Sequence, residues 1–322
     1  MSELTVRVAR KVSEADGISS FELVPTEGTL LPPFDAGAHI DVHLRDGLVR
    51  QYSLCNPPHE RHRYQIAVLR DPSSRGGSST MHDEIEAGDV ITISASKNHF
   101  PLQPATRSLL FAGGIGVTPI LAMAEALYAA GADFEMHYNA RSPAHCAFRD
   151  RIAKSLYAAR VHLHFDNGDA AQNLDVQTVL GAPRADTHIY VCGPGGYIDH
   201  VLGAASSLGW PPAQVHREYF SAGSVDTAAD AAGDTAFDVR LASSGQVFTI
   251  PVGRTVVGVL AENGIDIPVS CEQGVCGTCL TSVLDGVPDH RDVYLTDEER
   301  AANDQFTPCC SRSKSAMLSL DL

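Results

Sequence analysis

No stretch of this sequence stays apolar for the ~20 residues that a membrane-crossing helix requires. The nearest approach, Leu109 to Ala130, is interrupted by Gly113, Gly114, Gly116, Pro119 and Glu125, and better fits a buried strand, a glycine turn and a helix. The opening MSELTVRVARK lacks the apolar core of a secretory signal, so the chain is expected in the reducing cytoplasm. There is no internal repeat and no low-complexity block of any size. Positive charge is scarce: 24 lysines and arginines stand against 39 aspartates and glutamates, a net charge of −15. That balance argues against nucleic acid and anionic membrane as partners, and suits steering toward a basic protein surface.

What is present is enough for several cores. A chain of 322 residues, 44% hydrophobic and 20% charged, has the composition of a globular protein with two or three domains. From Thr5 to about Leu102, short alternating runs lie between turns: Ile18–Val24, His39–Leu44, Tyr64–Leu69 and Val90–Ile93. They read as an antiparallel β-barrel or sandwich over residues 1–103. From 104 to 222 strands alternate with helical stretches: Ser108–Ala112 then Pro119–Ala130, Phe134–Tyr138 then Ala147–Leu156, His188–Cys192 then Gly196–Leu208. This pattern predicts an α/β domain with a parallel sheet. A small, polar stretch with no hydrophobic period predicts a linker over 223–234. A third domain, 235–322, opens with strand-like runs at Phe237–Leu241 and Gln246–Ile250 and a short helix near Thr255–Asn263.

Eight cysteines in a reducing compartment point to metal ligation ahead of disulfides. Cys271, Cys276 and Cys279 form C-x4-C-x2-C, and Cys309 follows after 29 residues, which is the plant-type 2Fe–2S spacing. Two irons need four thiolates, three from one tight loop and the fourth returning from afar. Gly274 and Gly277 lie between the ligands, where a missing side chain lets backbone amides approach the inorganic sulfides. A zinc ribbon would want two close C-x2-C pairs, and only one is present. Cys310 competes with Cys309 as fourth ligand. Cys55, Cys146 and Cys192 have no ligand spacing and read as small buried hydrophobes, with Cys192 set apart by its location.

Three further motifs suit a flavin and a nicotinamide dinucleotide. In Arg50-Gln51-Tyr52-Ser53-Leu54 a guanidinium suits a phosphate, an aromatic ring can stack on a flavin, and a hydroxyl can donate to a flavin nitrogen. The alternative is an ordinary barrel strand with an exposed arginine. Arg75-Gly76-Gly77-Ser78-Ser79 offers bare amides and hydroxyls at the start of a helix, a phosphate nest or else a plain surface loop. Gly113-Gly114-Ile115-Gly116-Val117-Thr118 and Cys192-Gly193-Pro194 each end a buried strand, where nucleotides bind α/β sheets. The first is not G-x-G-x-x-G, which counts against an ordinary Rossmann dehydrogenase.

Arg50-Gln51-Tyr52-Ser53 resembles the R-x-Y-S motif of the ferredoxin-NADP reductase superfamily. In the order flavin barrel, nucleotide domain, C-terminal ferredoxin, the chain resembles the phthalate dioxygenase reductase family over nearly its whole length. The strand Ala67-Val68-Leu69 before the glycine turn, Asn98-His99-Phe100-Pro101-Leu102, Glu218-Tyr219-Phe220 and Cys309-Cys310-Ser311-Arg312-Ser313 extend the match. The chain also resembles the vanillate demethylase reductases, a subgroup that shares this layout. The resemblance implies a β-grasp ferredoxin domain, FMN as the flavin, NADH as the donor and Cys309 as the fourth ligand. It also implies that Phe220 borders the flavin and that Cys192 borders the nicotinamide. Arg141 would approach the adenosine end, or is a surface arginine.

The implied reaction places the nicotinamide beside Thr118 and Cys192 and hydride arrival near Ser53, with no acid–base triad. His39, His43, His99 and His188 then read as surface or packing histidines. The implied partner is a terminal oxygenase of the Rieske non-haem iron type. Two rivals stay open: a reductase serving a haem-thiolate monooxygenase, and a non-enzymatic iron–sulfur redox sensor. An electron-transfer subunit of dihydroorotate dehydrogenase is disfavoured by the long last cysteine gap.

Overall fold

The computed structural model describes residues 3–72, 76–169, 172–220 and 234–322. Arg75 and the linker up to Gly233 lie outside the described residues. Two compact units emerge, Met1–Glu218 and Tyr219–Leu322.

The first unit begins with a six-stranded antiparallel, barrel-like sheet. Its strands are β1 (Glu3–Ala15), β2 (Ile18–Pro25), β3 (His39–His43), β4 (Val49–Ser53), β5 (Tyr64–Leu69) and β6 (Val90–Ser94), in the order β4-β3-β6-β1-β2-β5. Alternation sends Val6 and Val8, Phe21 and Leu23, Ile40 and Val42, and Ile91 and Ile93 into one core. Each such side chain contributes about 1.5–3 kcal/mol when fully buried. The two edge strands come together where Leu54 bridges Ile66, closing the barrel. A short helix, α1 (Gly77–Asp83), follows β5.

The second sheet of this unit holds β7 (Arg107–Gly113), β8 (Asp133–Ala140), β9 (Val161–Phe165), β10 (Thr187–Gly193) and β11 (Val215–Tyr219), in the order β11-β10-β7-β8-β9. The ladders β10·β7, β7·β8 and β8·β9 are parallel. Helices α2 (Val117–Ala129), α3 (Arg149–Lys154), α4 (Val176–Leu180) and α5 (Gly195–Ser207) make the connections. The segment Leu109–Ala130 is thus strand, glycine turn and helix, and among the described residues no helix is long and apolar enough to cross a membrane. The helix expected over Ala147–Leu156 is trimmed at both ends, because Phe148 takes φ 59° and Ser155 turns extended.

Ile18, Ala36, Cys55, Ala67 and Phe100 of the barrel share a hydrophobic cluster with Val117, Ile120, Leu121 and Met123 of α2. The barrel and the parallel sheet are therefore packed as one body.

The second unit contains β12 (Phe237–Leu241), β13 (Val247–Ile250), α6 (Val256–Glu262), β14 (Thr281–Asp285), β15 (Pro288–Asp289), α7 (Asp297–Ala302), β16 (Gln305–Phe306), β17 (Arg312–Ser313) and β18 (Met317–Leu320). Its main sheet runs β13-β12-β18-β14-β16, with the central pair β12·β18 parallel and the flanking pairs antiparallel. Val256, Val259 and Leu260 of α6 join Val239, Leu241 and Leu318 in one core, the helix-across-sheet packing of a β-grasp fold. Thr255 caps α6 by accepting from the Gly258 amide at 3.1 Å. Thr296 and Glu299 form a capping box on α7.

Candidate functional site

Arg50 and Tyr52 lie two residues apart on β4, opposite Val42 and Ile40 of β3, and so share a face. The Arg50 side chain crosses the start of α1. A Cβ at Gly77 would stand 2.5 Å from Arg50 Cγ and 2.8 Å from its Nε, so only glycine lets the stem of Arg50 pass. Gly76, the residue before the helix, has φ +92°. The guanidinium is thereby brought to the helix's first amides, a donor set that fits a phosphate. Ser79 donates to the Gly76 carbonyl at 3.1 Å and Ser78 Oγ accepts from the Asp71 amide at 3.1 Å, so both hydroxyls pin the turn.

Burial pushes the Tyr52 phenol up, against the Arg50 charge, so it stays protonated. Leu54, Ala67 and Val68 are buried in the hydrophobic clusters, and what they offer a ligand is backbone.

The order β11-β10-β7-β8-β9 reverses direction between β7 and β10, the topological switch point of the sheet. Both predicted glycine turns leave the sheet there. Gly113 and Gly193 touch, since a Cβ on Gly193 would stand 3.0 Å from the Gly113 Cα. A side chain on Gly116 would collide with the Cys192 carbonyl. Thr118 is buried in the first turn of α2 and donates to the Ile115 carbonyl at 3.1 Å. Cys192 is buried at the end of β10, and its thiol is pushed well up by burial and then by nearby Glu218. Gly114 takes φ +53° and Pro194 precedes α5, so the crevice rim consists of backbone amides and small side chains.

Two residues here went unassigned in the sequence. Tyr197 lays its ring against Gly113 and Gly193 and donates to Asn139 Oδ1 at 3.1 Å, closing the same crevice. Glu218 accepts from the Ser53 hydroxyl, and burial lifts its carboxyl from the ordinary 4.5 to about 8. Its Oε2 is buried with no hydrogen-bond partner among the described residues. Only the position of Glu218 just before Tyr219-Phe220 hinted at this in the sequence. Arg141 is exposed just past β8, and Phe220, in the second unit, is exposed as well. His39 packs on His99 and His188 on His216.

In the second unit four sulfurs converge. Cys276, Cys279 and Cys309 are buried and Cys271 is half-buried. The Cys276 and then the Cys309 thiol donate to Cys271, drawing it down to about 2 against burial. The amide of Gln273 also points at its sulfur, at 3.3 Å. Cys279 is lowered as well, first by Cys309, while Cys276 and Cys309 are raised, first by Cys271. Sulfurs this close compete for protons, and metal ions that replace those protons relieve the conflict. Gly274, at φ +71°, has no room for a side chain, since a Cβ would lie 2.5 Å from Cys310 Sγ and 2.8 Å from the Asp292 Cα. Cys310 is half-buried with its sulfur 3.3 Å from Thr307 Oγ1. Cys309 alone of the adjacent pair donates hydrogen bonds to both Cys271 and Cys279. The cradle fits a 2Fe–2S cluster.

Residues 239–314 match the 2Fe-2S iron-sulfur cluster binding domain family. The chain is 57% identical to the vanillate O-demethylase oxidoreductase of Pseudomonas putida over 98% of both chains. Among solved structures, phthalate dioxygenase reductase, described as a modular structure for electron transfer from pyridine nucleotides to a 2Fe–2S centre, superposes with TM-score 0.76 and 40% identity over 100% of this chain and 98% of its own. An intact self-sufficient cytochrome P450 monooxygenase superposes with TM-score 0.87 and 39% identity, covering 99% of this chain and 41% of its own.

Proposed function

The chain belongs to the phthalate dioxygenase reductase family, and from that premise we propose that it is the NADH-dependent reductase component of a multicomponent Rieske-type aromatic oxygenase or demethylase. The observation that carries this reading is one chain holding both a four-sulfur cradle and, on a single rigid unit, a phosphate cradle beside a nucleotide crevice. The 57% identity to a vanillate O-demethylase oxidoreductase supports an O-demethylating partner.

When bound, FMN takes up a hydride and gives back electrons singly, and a 2Fe–2S cluster carries one electron at a time. The residues do the positioning. Arg50 and the amides of Gly77, Ser78 and Ser79 anchor the FMN phosphate. Tyr52 stacks, and Ser53 with the backbone of Leu54, Ala67 and Val68 lines the ring. Gly113, Gly114, Thr118, Cys192, Gly193 and Pro194 form the NADH crevice, Thr118 and Cys192 lie nearest the nicotinamide, and Arg141 serves its adenosine end. Cys271, Cys276, Cys279 and Cys309 hold the cluster. Residues 1–103, 104–222 and 235–322 carry these three tasks, and the working place is the cytoplasm.

Glu218 holds a proton below pH 8, and its carboxyl accepts from Ser53. Above that pH its charge opposes hydride arrival at the neighbouring ring. NADH-driven flavin reduction is therefore expected to slow as pH rises through about 8, and the fall is expected to vanish in Glu218→Gln. Stopped-flow bleaching across pH 6–10 decides it, and an identical alkaline limb in both proteins would rule Glu218 out.

From Asp230 onward 14 acidic residues stand against six basic ones, which gives −8 of the chain's −15. This region docks a basic face of the oxygenase, so electron transfer to it should slow several-fold between low and high salt. A rate constant that does not change with ionic strength would contradict this.

The purified protein should show flavin and iron–sulfur absorption and reduce ferricyanide and cytochrome c with NADH; iron–sulfur absorption without flavin peaks and without NADH-driven reduction would leave the redox-sensor reading, and colourless protein would overturn both. The likeness to a cytochrome P450 monooxygenase chain favours a second reading, service to a haem-thiolate partner. Reconstitution with a Rieske oxygenase against a haem monooxygenase separates the two.

A further inference from the structure

At the outer edge of the parallel sheet, β8 and β9 bring Glu135, His137, His162 and His164 together. His137 pairs with His162 in the parallel register, and Glu135 shares the His137 face by alternation. Glu135 Oε1 lies 3.3 Å from His137 Nε2 and 3.1 Å from His162 Nε2. The three donor atoms lie within 4.8 Å of one another. His137 is only 3% exposed and stacks on Phe111 at 5.5 Å, yet its Nε2 has no hydrogen-bond partner among the described residues.

The hydrogen-bond chain behind His137 fixes what Nε2 carries. A Gln172 carbonyl, which can only accept, lies 2.7 Å from His164 Nδ1, so that nitrogen bears the proton. A neutral His164 then presents a lone pair at Nε2, 3.1 Å from His137 Nδ1, which must donate. A neutral His137 is left with a bare lone pair at Nε2, facing a carboxylate oxygen. Two lone pairs at that distance call for a cation between them. A proton would create a buried imidazolium stacked on two further imidazoles, at ring distances of 4.9 and 5.3 Å.

We propose that Glu135 Oε1, His137 Nε2 and His162 Nε2 bind a zinc ion. Tetrahedral zinc with bonds of about 2.0–2.1 Å has donor–donor edges of about 3.3 Å, close to the two separations seen here. Imidazole donors select zinc over calcium or magnesium. The outer shell is built as metal sites build it: His137 leans on His164, and the Arg107 guanidinium holds Glu135 Oε2 at 2.8 Å. The His162 side chain is 49% exposed and gives the ion a way in, and the fourth position is open to water. Since among the described residues β9 has β8 as its one strand neighbour, the ion staples the sheet's last strand to the rest.

The test uses the full-length holoprotein with flavin and cluster in place. After removal of loosely bound metal, zinc chloride is titrated against a chromophoric zinc chelator, and zinc and iron are counted in the same samples. One zinc per chain is expected with iron unchanged, and binding at least ~10-fold weaker in His162→Ala and in Glu135→Gln. Zinc should raise the unfolding temperature of the unaltered protein and leave both variants where they are. Equal affinity in all three proteins, no uptake, or uptake that displaces iron overturns the proposal.

Discussion

Cys309→Ser should abolish NADH-driven cytochrome c reduction, by ~100-fold or more, while ferricyanide reduction falls no more than about two-fold. The Cys309 thiol donates to Cys271 and Cys279, and an alcohol oxygen is a poor substitute for its sulfur as an iron ligand, so the iron should be lost with the sulfur. The first unit has its own core and keeps its flavin site, which is why the direct acceptor survives. Cys310→Ser is the matched control, since its sulfur lies against Thr307 and Ser311. Iron content and visible absorption read both variants. Iron lost from Cys310→Ser and retained in Cys309→Ser would transfer the fourth ligand to Cys310.

Arg50→Ala should weaken FMN binding by ~100-fold or more, because under the proposed anchoring one guanidinium gives the phosphate two charge-assisted hydrogen bonds, worth about 1.5–3 kcal/mol each. Arg50→Lys should recover part of this, since an ammonium keeps the charge and loses the fork. Gly77→Val should resemble Arg50→Ala, because the new side chain takes the space through which the Arg50 stem passes. Fluorescence titration of flavin-free protein measures all three. A change under about three-fold in Arg50→Ala would mean that the phosphate is anchored elsewhere.

The fold was legible wherever chemistry repeats along the chain. Alternation in Tyr64–Leu69 and Phe237–Leu241 gave those strands their bounds, and Thr255 and Asn263 bracket a helix at Val256–Glu262. The α7 helix was legible too, since Thr296 and Glu299 spell a capping box, yet its single turn carries no apolar period and was passed over. β1 went unassigned because its second half, Arg10–Ala15, carries charges and small residues in place of alternation. The cysteine spacing announced the sulfur cradle, because ligands close in sequence must meet in space. Nothing comparable announced Glu218, Tyr197 or the histidine cluster. Their partners lie 165, 58 and 27 residues away along the chain, brought close by strand order alone.

The hydrophobic cluster shared by Ile18, Ala67 and Phe100 with α2 bears on how such a protein can be recombined. A chimera spliced near residue 103 would strip an oily face from each fragment and leave both prone to clump. The core of the iron–sulfur unit draws on residues 237–322 alone, so such a cassette can be exchanged between reductases as a whole, while the hydride-handling half is inherited in one piece.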